Sequence, residues 1–137
     1  MQSRLNAYLH FQDTAREAME FYKSVFGGKL QMSTFKDYGA AQVPSDENKI
    51  MHSMLEAENG ISFMGADAPS GMPLSQGTTS LALSGDNEAE LTGYFEKLAA
   101  GGTVREPLVK APWGDAFGML TDKYGVEWMV NITEQKS

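Results

Sequence analysis

The sequence predicts an α+β fold made of two tandem βαβββ modules. Three observations carry this prediction. A strand, a capped helix and a Gly-Gly pair occur twice, the two copies lie about 73 to 74 residues apart in a chain of 137 residues, and short alternating segments typical of strands follow each copy. An aromatic pair precedes the glycines in both, Phe21-Tyr22 and Tyr94-Phe95. We therefore expect a cupped mixed β-sheet with the helices on its outer face.

Composition is that of one small domain. About two-fifths of the residues are hydrophobic, and a chain of this size can bury about two-thirds of its unfolded surface around one core. Within that domain the pattern assigns residues 1–67 to module one, 68–76 to a linker containing Pro and Gly, and 77–134 to module two.

Charge and cysteine content exclude several classes of function. The formal net charge is −7 and the sequence pI is about 4.7. Phosphate-rich partners need a basic face, so we expect neither nucleic acid nor an anionic membrane as a partner. The absence of cysteine rules out disulfides, thiolate metal ligands and thiol nucleophiles. With no signal-peptide pattern and no apolar run of about 18 residues, we expect a soluble, cytoplasmic protein.

The first strand is expected at Leu5 to Phe11, because its side chains alternate in character. One set should pack against a helix, and the other should line the opposite face. The packing set is Leu5, Ala7, Leu9 and Phe11, and the opposite set is Asn6, Tyr8 and His10.

The first helix should begin at Asp13 or Thr14. The run from Thr14 to Glu17 has the form of a capping box, in which the two side chains accept hydrogen bonds from each other's backbone N–H groups. Gly27-Gly28 should end the helix, because glycine adopts the left-handed conformation of a helix end at least cost. The expected buried stripe is Ala15, Ala18, Met19, Tyr22, Val25 and Phe26.

Three further strands complete module one. We expect them at Leu30 to Phe35, Lys49 to Glu56 and Ile61 to Met64. Asp37 to Asn48 should form a mobile loop. The last two strands should form a hairpin around Asn59-Gly60, because Asn-Gly is the strongest short hairpin signal.

Module two repeats this order. Its helix should be capped by Asp86 or Asn87 and should bury Leu91, Tyr94, Phe95 and Leu98. The strands of the two modules align best at an offset of about 74 and the helices at about 73, so one residue shifts between them. The expected strands are Ser80 to Ser84, Thr103 to Glu106, Phe117 to Thr121 and Val126 to Ile132, with turns at Pro107 to Asp115 and Asp122 to Gly125.

Particular segments carry a resemblance to a known family. They are Tyr8-Leu9-His10-Phe11 through Glu17-Ala18 to Phe26-Gly27-Gly28, His52-Ser53-Met54-Leu55, and Trp113-Gly114-Asp115 through Phe117-Gly118-Met119 to Asp122, Gly125 and Trp128. With its tandem βαβββ pattern, the chain resembles the vicinal-oxygen-chelate superfamily of glyoxalase I, bleomycin-resistance proteins and extradiol dioxygenases. Within it the chain resembles the PhnB-like branch, which is named by similarity to demethylubiquinone methyltransferase. The resemblance implies the fold, whereas this fold carries several unrelated activities.

The resemblance also implies where a metal would bind. Catalytic members hold a divalent ion with His, Gln or Glu at positions that correspond here to Asn6, Met64, Ser80 (or Thr79) and Met129. An amide, a hydroxyl and two thioethers are poor ligands for such an ion. We therefore expect no metal and no cofactor. A register shift on the last strand would bring Glu127 into the cup in place of Met129.

His10 and His52 permit three interpretations. They could be hydrogen-bonded core histidines, they could contact a ligand or transfer a proton, or they could bind a metal. Tyr8 shares the face of His10 and could orient a ligand through its hydroxyl, or it could be an amphipathic wall residue.

The methionines and one loop complete the candidate cup. Met51, Met54, Met64, Met119 and Met129 fall on strands and could form an adaptable apolar pocket, although ordinary core packing explains most of them. Trp113-Gly114-Asp115 could close over a ligand, with Asp115 accepting a hydrogen bond, or could be a structural turn. The candidate ligand-binding residues are Asn6, Tyr8, His10, His52, Met64, Ser80, Trp113, Asp115 and Met129.

Three hypotheses of function follow. The first is a homodimeric protein that binds a small, mainly apolar organic molecule in its cup without a catalytic metal. The second is a metal-dependent lyase, isomerase or dioxygenase that uses His10, His52 and Glu127 or Glu56. The third is a bleomycin-type resistance protein that sequesters an antibiotic, with its acidic charge assisting the capture of a cationic drug.

Overall fold

A computed structural model describes residues 6–57, 60–71, 80–110, 112 and 114–133. The chain divides into two compact units, Met1–Gln76 and Gly77–Ser137. Both α-helices have 12 residues, and among the described residues no helix is long and apolar enough to cross a bilayer. The elements are β1 Ala7–Phe11, α1 Ala15–Phe26, β2 Lys29–Thr34, a 3-10 turn Pro44–Asp46, β3 Ile50–Glu56, β4 Ser62–Asp67, β5 Leu81–Gly85, α2 Glu88–Ala99, β6 Thr103–Lys110, β7 Ala116–Thr121 and β8 Glu127–Ile132.

Each unit holds one four-stranded sheet, and the two sheets have the same topology. The strand orders are β1-β4-β3-β2 and β5-β8-β7-β6. In each, the first strand pairs in parallel with the last, and the other neighbours are antiparallel. This arrangement confirms the predicted α+β fold of two βαβββ modules.

The helix of module one covers one face of its sheet through the predicted stripe. All six stripe residues of α1 are buried. The Tyr22 ring meets the edge of Phe63 on β4 with 5.5 Å between centroids, and Phe26 meets the same ring at 6.1 Å. A Cβ on Gly65 would meet the sulfur of Met19 and the ring of Phe11. The predicted facing of β1 is therefore correct.

The start of α1 differs from the prediction. The N-cap is Thr14, but its side chain makes no capping hydrogen bond, so the predicted capping box is wrong. The Ala15 N–H donates instead to Asp67 Oδ1 at 2.9 Å, while the Ile50 N–H donates to Asp67 Oδ2 at 3.0 Å. Strand β4 was expected to end at Met64; its pairing with β1 extends it to Asp67, which reaches the end of the helix.

The repeated Gly-Gly pair has a steric cause in both modules. Gly27 and Gly28 have φ values of 75° and 89°, in the left-handed region that favours glycine. A Cβ on Gly28 would overlap the backbone of Glu56, and a Cβ on Gly102 would overlap the backbone of Thr121. Any side chain at either position would therefore separate the helix end from the sheet.

The shift between strand and helix offsets arises in the loops that flank the helices. Ala7 corresponds to Leu81, an offset of 74, whereas the first helical residues Ala15 and Glu88 are 73 apart. The loop before α1 is thus one residue longer than its counterpart, and it contains Asp13 with φ 69°. The loop after α2 is in turn one residue longer than the loop after α1, because Ala100 precedes its two glycines. The strands that follow are therefore again 74 residues apart.

Module two departs from the prediction at two places. Asn87 caps α2 by accepting from the Glu90 N–H at 3.0 Å, as expected, but Tyr94 is only half-buried, so its predicted core position is wrong. Pro107 was expected in a turn and instead lies within β6. Proline is tolerated there because β6 is the outer strand of its sheet and its pairing with β7 is interrupted by bulges.

The loop between β2 and β3 is fixed by a buried carboxylate. Asp46 is 3% exposed and accepts from the Ser70 hydroxyl at 2.6 Å and from Lys49 Nζ at 3.0 Å. Lys49 also pairs with Asp13 at 2.8 Å. The Ser70 hydroxyl and the Lys49 ammonium hold the pKa of Asp46 below its usual range. The sequence predicted a mobile loop here; in the structure this cluster ties it to two other loops of module one.

Candidate functional site

The candidate residues on or next to the strands of each sheet, Asp115 excepted, lie on the face turned away from its helix, which we call the distal face. In module one, Phe63 and Gly65 meet α1, so the alternating residues Met64, Met54 and His52 point to the distal face. In module two, a Cβ on Gly118 would meet the ring of Phe95 of α2. Its neighbours on β7 and their partners on β8 therefore belong to the distal face of the second sheet.

An aromatic cluster occupies the distal face of module one. The rings of Tyr8 and His10 stack with 5.1 Å between centroids, and the His52 ring lies 6.2 Å from that of Tyr8. His10 is exposed and His52 is half-buried, so neither is a core histidine. Partial burial raises the pKa of Tyr8 above its ordinary value, so its hydroxyl stays protonated at neutral pH. The cluster thus presents ring surface together with a hydrogen-bond donor.

Two methionine pairs occupy equivalent positions on the two distal faces. Met54 is opposite Met64 on neighbouring strands, and Met119 is opposite Met129. All four are half-buried. Directly opposed side chains on antiparallel strands have Cβ atoms about 5 Å apart, so each pair forms a continuous apolar patch. In module one that patch adjoins the aromatic cluster, because Tyr8 pairs with Met64 across the parallel ladder.

The polar residues at one end of each distal face are hydrogen-bonded to each other. The Ser62 hydroxyl donates to Asn6 Oδ1 at 3.1 Å in module one. In module two the Ser80 hydroxyl donates to Glu127 Oε2 at 3.3 Å, and Arg105 Nη1 lies 2.7 Å from Glu127 Oε1. The candidate polar atoms are therefore already engaged within each module.

These residues do not fit a divalent metal. The positions that the resemblance assigns to ligands hold an amide bonded to Ser62, a hydroxyl bonded to a carboxylate, and the thioethers of Met64 and Met129. Hard divalent ions prefer oxygen ligands, and imidazole is the usual nitrogen ligand in such sites. Among the described residues no group of three or more His, Asp or Glu side chains is placed to hold a metal.

The alternative ligands of the metal hypothesis lie apart or have partners. Glu56 is four residues from His52 on β3, about 13 Å at the usual strand rise. Glu127 was considered as a substitute for Met129. The two are separated by one residue on β8 and share the distal face, so they are not alternatives, and Arg105 pairs with the Glu127 carboxylate.

The two loop candidates stand differently. Trp113 lies outside the described residues. Asp115 immediately precedes β7, whose first residue Ala116 pairs with Ile132 at the far end of β8. Glu127 begins that strand, so Asp115 lies about 17 Å along the sheet from the Ser80–Glu127 contact. The structure does not bring Asp115 together with the other candidates of module two.

Sequence reasoning missed the partners of the candidate polar groups. Ser62 was not singled out, although alternation along β4 places it on the face of Met64. Arg105 was not singled out either, although alternation along β6 places it on the face of Thr103, which lies opposite Thr121 and so on the face of Glu127.

Comparisons with known proteins agree with the resemblance. A family model described as 3-demethylubiquinone-9 3-methyltransferase matches residues 3–131. Protein PA1353 of Pseudomonas aeruginosa is 34% identical, with a TM-score of 0.82 and coverage of 98% of this chain and 100% of that one. A putative 3-demethylubiquinone-9 3-methyltransferase, the PhnB protein of Bacillus cereus, is 30% identical with a TM-score of 0.76, covering 96% and 100%.

Two further likenesses extend the set. Protein YjdN of Escherichia coli strain K12 is 28% identical over 96% of this chain and 97% of that protein. A glyoxylase/bleomycin resistance protein/dioxygenase domain from Frankia sp. EAN1pec, at 14% identity, has the same fold with a TM-score of 0.67 over 98% of this chain and 99% of that one.

Proposed function

This chain belongs to the 3-demethylubiquinone-9 3-methyltransferase family, the PhnB-like branch of the glyoxalase/bleomycin-resistance/dioxygenase fold, and from that membership we propose a binding function. The protein binds a small, mainly apolar organic molecule on its distal faces, and it does so without a catalytic metal. The observation that carries this proposal is the aromatic cluster of Tyr8, His10 and His52 beside the Met54–Met64 pair.

The cluster suits an aromatic or unsaturated ligand with one polar group. Offset or tilted rings at centroid distances of 4.5 to 7 Å attract one another by about 0.5 to 1.5 kcal/mol beyond their buried area, and Tyr8 keeps a donor for a ligand oxygen. Methionine adapts its shape because its chain is unbranched. These properties support binding of a flat apolar body with a single oriented oxygen.

The donor chemistry supports the metal-free part of the proposal. Asn6 and Ser80 are engaged with Ser62 and Glu127, and the remaining two positions carry thioethers. The test is metal analysis of protein purified without a nickel column or tag and dialysed against a weak chelator. We expect less than about 0.1 equivalent of divalent metal per chain. Stoichiometric metal in that sample would assign the chain to the metal-dependent enzymes instead.

Methionine methyl resonances provide a direct test of binding. We expect titration with 1-naphthol to shift the [13C]methyl signals of Met54 and Met64. The signal of Met19, which is fully buried against Gly65 on the helix side, serves as the internal control. Native mass spectrometry of the purified protein should also show a bound organic molecule of low mass.

Variants locate the binding surface. Tyr8→Ala should weaken 1-naphthol binding about tenfold, which is about 1.4 kcal/mol, because it removes both a ring and a donor. His52→Phe introduces phenylalanine, the residue found at the corresponding position of module two (Phe117 on β7). It keeps a ring and should weaken 1-naphthol binding less than Tyr8→Ala does. Tyr38→Ala removes a tyrosine that is 58% exposed in the loop between β2 and β3 and is not a member of the cluster, so it should have no effect. Equal losses in Tyr8→Ala and Tyr38→Ala would contradict the proposal.

Methyl transfer, which the family description names, has its own readout. It would consume S-adenosylmethionine and release S-adenosylhomocysteine when a catechol is offered as the acceptor. We propose binding without this turnover. Release of S-adenosylhomocysteine that depends on both the protein and the catechol would replace the binding function with a catalytic one.

Assembly and location complete the proposal. We propose a cytoplasmic homodimer, as expected for the superfamily. Light scattering at micromolar concentration should give twice the chain mass of 15.0 kDa, and a mass of one chain would exclude the dimer.

A further inference from the structure

A groove of about 700 Å³ lies on the helix side of module two, on the other face of the sheet from the Met119–Met129 pair. Thr92 and Phe95 of α2 form one wall. Leu108 of β6, Ala116 of β7 and Ile132 of β8 form the floor and the opposite wall. Its volume lies within the range of small-molecule sites, about 300 to 1,000 Å³.

Module one has a smaller groove of about 570 Å³ at the corresponding end of its sheet, where Asp67 takes the place of Ile132 and the lining is polar apart from Ile50. The two helices have the same length and start at Ala15 and Glu88, so Met19 corresponds to Thr92. Met19 is fully buried, with its sulfur over Gly65. In module two the shorter Thr92 is only half-buried and Val130 corresponds to Gly65. Thr92 therefore lines the groove at the position where the longer Met19 packs over Gly65 in module one, and the Val130 side chain occupies space that Gly65 leaves to Met19.

The loops add to this difference. In module one, residues 35–49 join β2 to β3 and bring a buried Phe35 and the Asp46 cluster over that end of the sheet. In module two, only residues 111–115 join β6 to β7. Leu108 instead closes against Gly118, whose missing side chain admits both Leu108 and the Phe95 ring. The same topology thus carries a polar groove in module one and a groove with an apolar floor in module two.

The charge at the groove indicates what it would accept. Asp86, Glu88 and Glu96 line it, together with Lys110. Three carboxylates against one ammonium leave an excess of two negative charges. The amino end of α2 contributes about half a positive charge, which is too small to cancel that excess. An apolar floor below a negative rim fits a molecule with an apolar body and one positive charge.

We propose that this groove is a second binding site, for small organic cations with an apolar body such as arylalkylamines. The apolar body lies on Phe95, Leu108 and Ile132, and the ammonium group lies toward Glu88 and Glu96. The site is separate from the distal-face site of the proposed function, so either can fail without the other.

The test uses three probes with one apolar body. 4-Phenylbutylamine, 4-phenylbutan-1-ol and 4-phenylbutyrate are titrated into the full chain labelled with 15N, and amide shifts are followed. We expect the amine to shift Thr92, Phe95 and Ile132 and to bind at least tenfold more tightly than the carboxylate, with the alcohol between them. Equal affinity of amine and carboxylate would overturn the proposal, as would shifts confined to Tyr8 and His52.

Substitutions at the groove separate filling from charge. Thr92→Met introduces the residue of module one, should narrow the groove and should weaken amine binding more than tenfold. Thr92→Ser keeps the space and should weaken it less than twofold. Glu96→Gln should weaken only the amine, by about twofold to fivefold, the range for exposed charge pairs. Unchanged amine binding in Thr92→Met would overturn the proposal.

Two controls keep the outcomes distinct. Binding of 1-naphthol to Thr92→Met reports whether that variant is folded and leaves the distal face intact; if it is not folded, Glu96→Gln alone decides, and an unaltered amine affinity there would overturn the proposal. Broadening of groove resonances with rising protein concentration, without probe, would show that a second copy covers the groove and would likewise overturn it.

Discussion

The two modules share a topology and a strand register but stabilise their helices differently. Helix α1 buries six residues, and a carboxylate 52 residues away in sequence accepts its first N–H. Helix α2 buries three residues and is capped by its own neighbour Asn87. The comparison teaches that the strands and the Gly-Gly pairs preserve the architecture. The helix ends and the interior beneath them vary freely enough to leave a polar groove in module one and a groove with an apolar floor in module two.

The last hairpins show a second difference. Phe63 and Trp128 occupy the same register position, opposite Leu55 and Leu120. Module two adds Asp122 at the turn, where module one has Ala57. Asp122 Oδ1 accepts from the N–H groups of residues 124 and 126 at 2.8 and 3.0 Å, and Oδ2 accepts from the Trp128 indole at 2.8 Å. A polar pair in one module therefore replaces an apolar pair in the other.

The largest effect is expected from breaking that polar pair. Asp122→Ala removes three hydrogen bonds and leaves the buried indole N–H without its acceptor, which should cost about 3 kcal/mol of unfolding free energy. Urea unfolding at pH 7 measures the change.

The double variant Asp122→Ala with Trp128→Phe restores the module-one pair and provides the control. It should cost less than the sum of the single variants by about 1 kcal/mol or more, because neither polar partner is left alone. Strict additivity would show that Asp122 and Trp128 act independently.

The next largest effect tests the cap supplied from β4. Asp67→Ala leaves the buried N–H groups of Ala15 and Ile50 without an acceptor and should destabilise the protein by about 2 kcal/mol. Asp67→Asn keeps one accepting oxygen and should cost about half as much. Thermal unfolding followed by circular dichroism measures both losses. An asparagine variant that loses as much stability as the alanine variant would show that the charge of Asp67, and not the number of acceptors, matters.

The local cap of module two should matter less. Asn87→Ala removes one partly exposed capping bond and should cost about 1 kcal/mol. Thr14→Ala is the matched variant at the N-cap of α1 and should change stability by less than about 0.3 kcal/mol, because Thr14 makes no side-chain capping bond. A loss of about 1 kcal/mol or more of unfolding free energy in Thr14→Ala would instead support the predicted capping box.

The smallest effect is expected for the ion pair of module two. Arg105 and Glu127 have side chains that are 55% and 37% exposed, so Arg105→Ala should cost about 0.5 kcal/mol or less and should cost still less in 1 M salt. A loss that is larger and independent of salt would show that the contact has a structural role. Chemical denaturation at two salt concentrations distinguishes these cases.

Local patterns were sufficient to predict the elements and faces of the modules. Alternation in β1 separates Leu9 and Phe11 from Tyr8 and His10, and the structure keeps that separation. The Gly-Gly pairs marked the helix ends because backbone conformation and close approach act over only a few residues. The Asp-x-x-Gly turn before β8 was recognisable for the same reason, since its bonds lie within residues 122–128.

Interactions between distant parts of the chain were beyond local patterns. Asp67 was unpredictable as a cap of α1 because 52 residues separate it from Ala15, and Thr14 offered a plausible local signal that tertiary structure overrides. Pro107 looked like a turn residue because its place on an edge strand depends on pairing. For the site, alternation predicted that Tyr8 and His10 share a face, but the contact with His52 needed the register of β3.

The matched methionine pairs bear on how the protein tolerates oxidants. Met54, Met64, Met119 and Met129 are all partly accessible, whereas Met19 is fully shielded. Peroxide converts a thioether to a sulfoxide, which adds a polar oxygen. Oxidation of these four would make the apolar centre of each distal face hydrophilic at the same position on both sheets, while the shielded Met19 in the core of module one stays unchanged. Affinity for apolar molecules would then report the oxidative history of the protein, and methionine sulfoxide reductases could restore it.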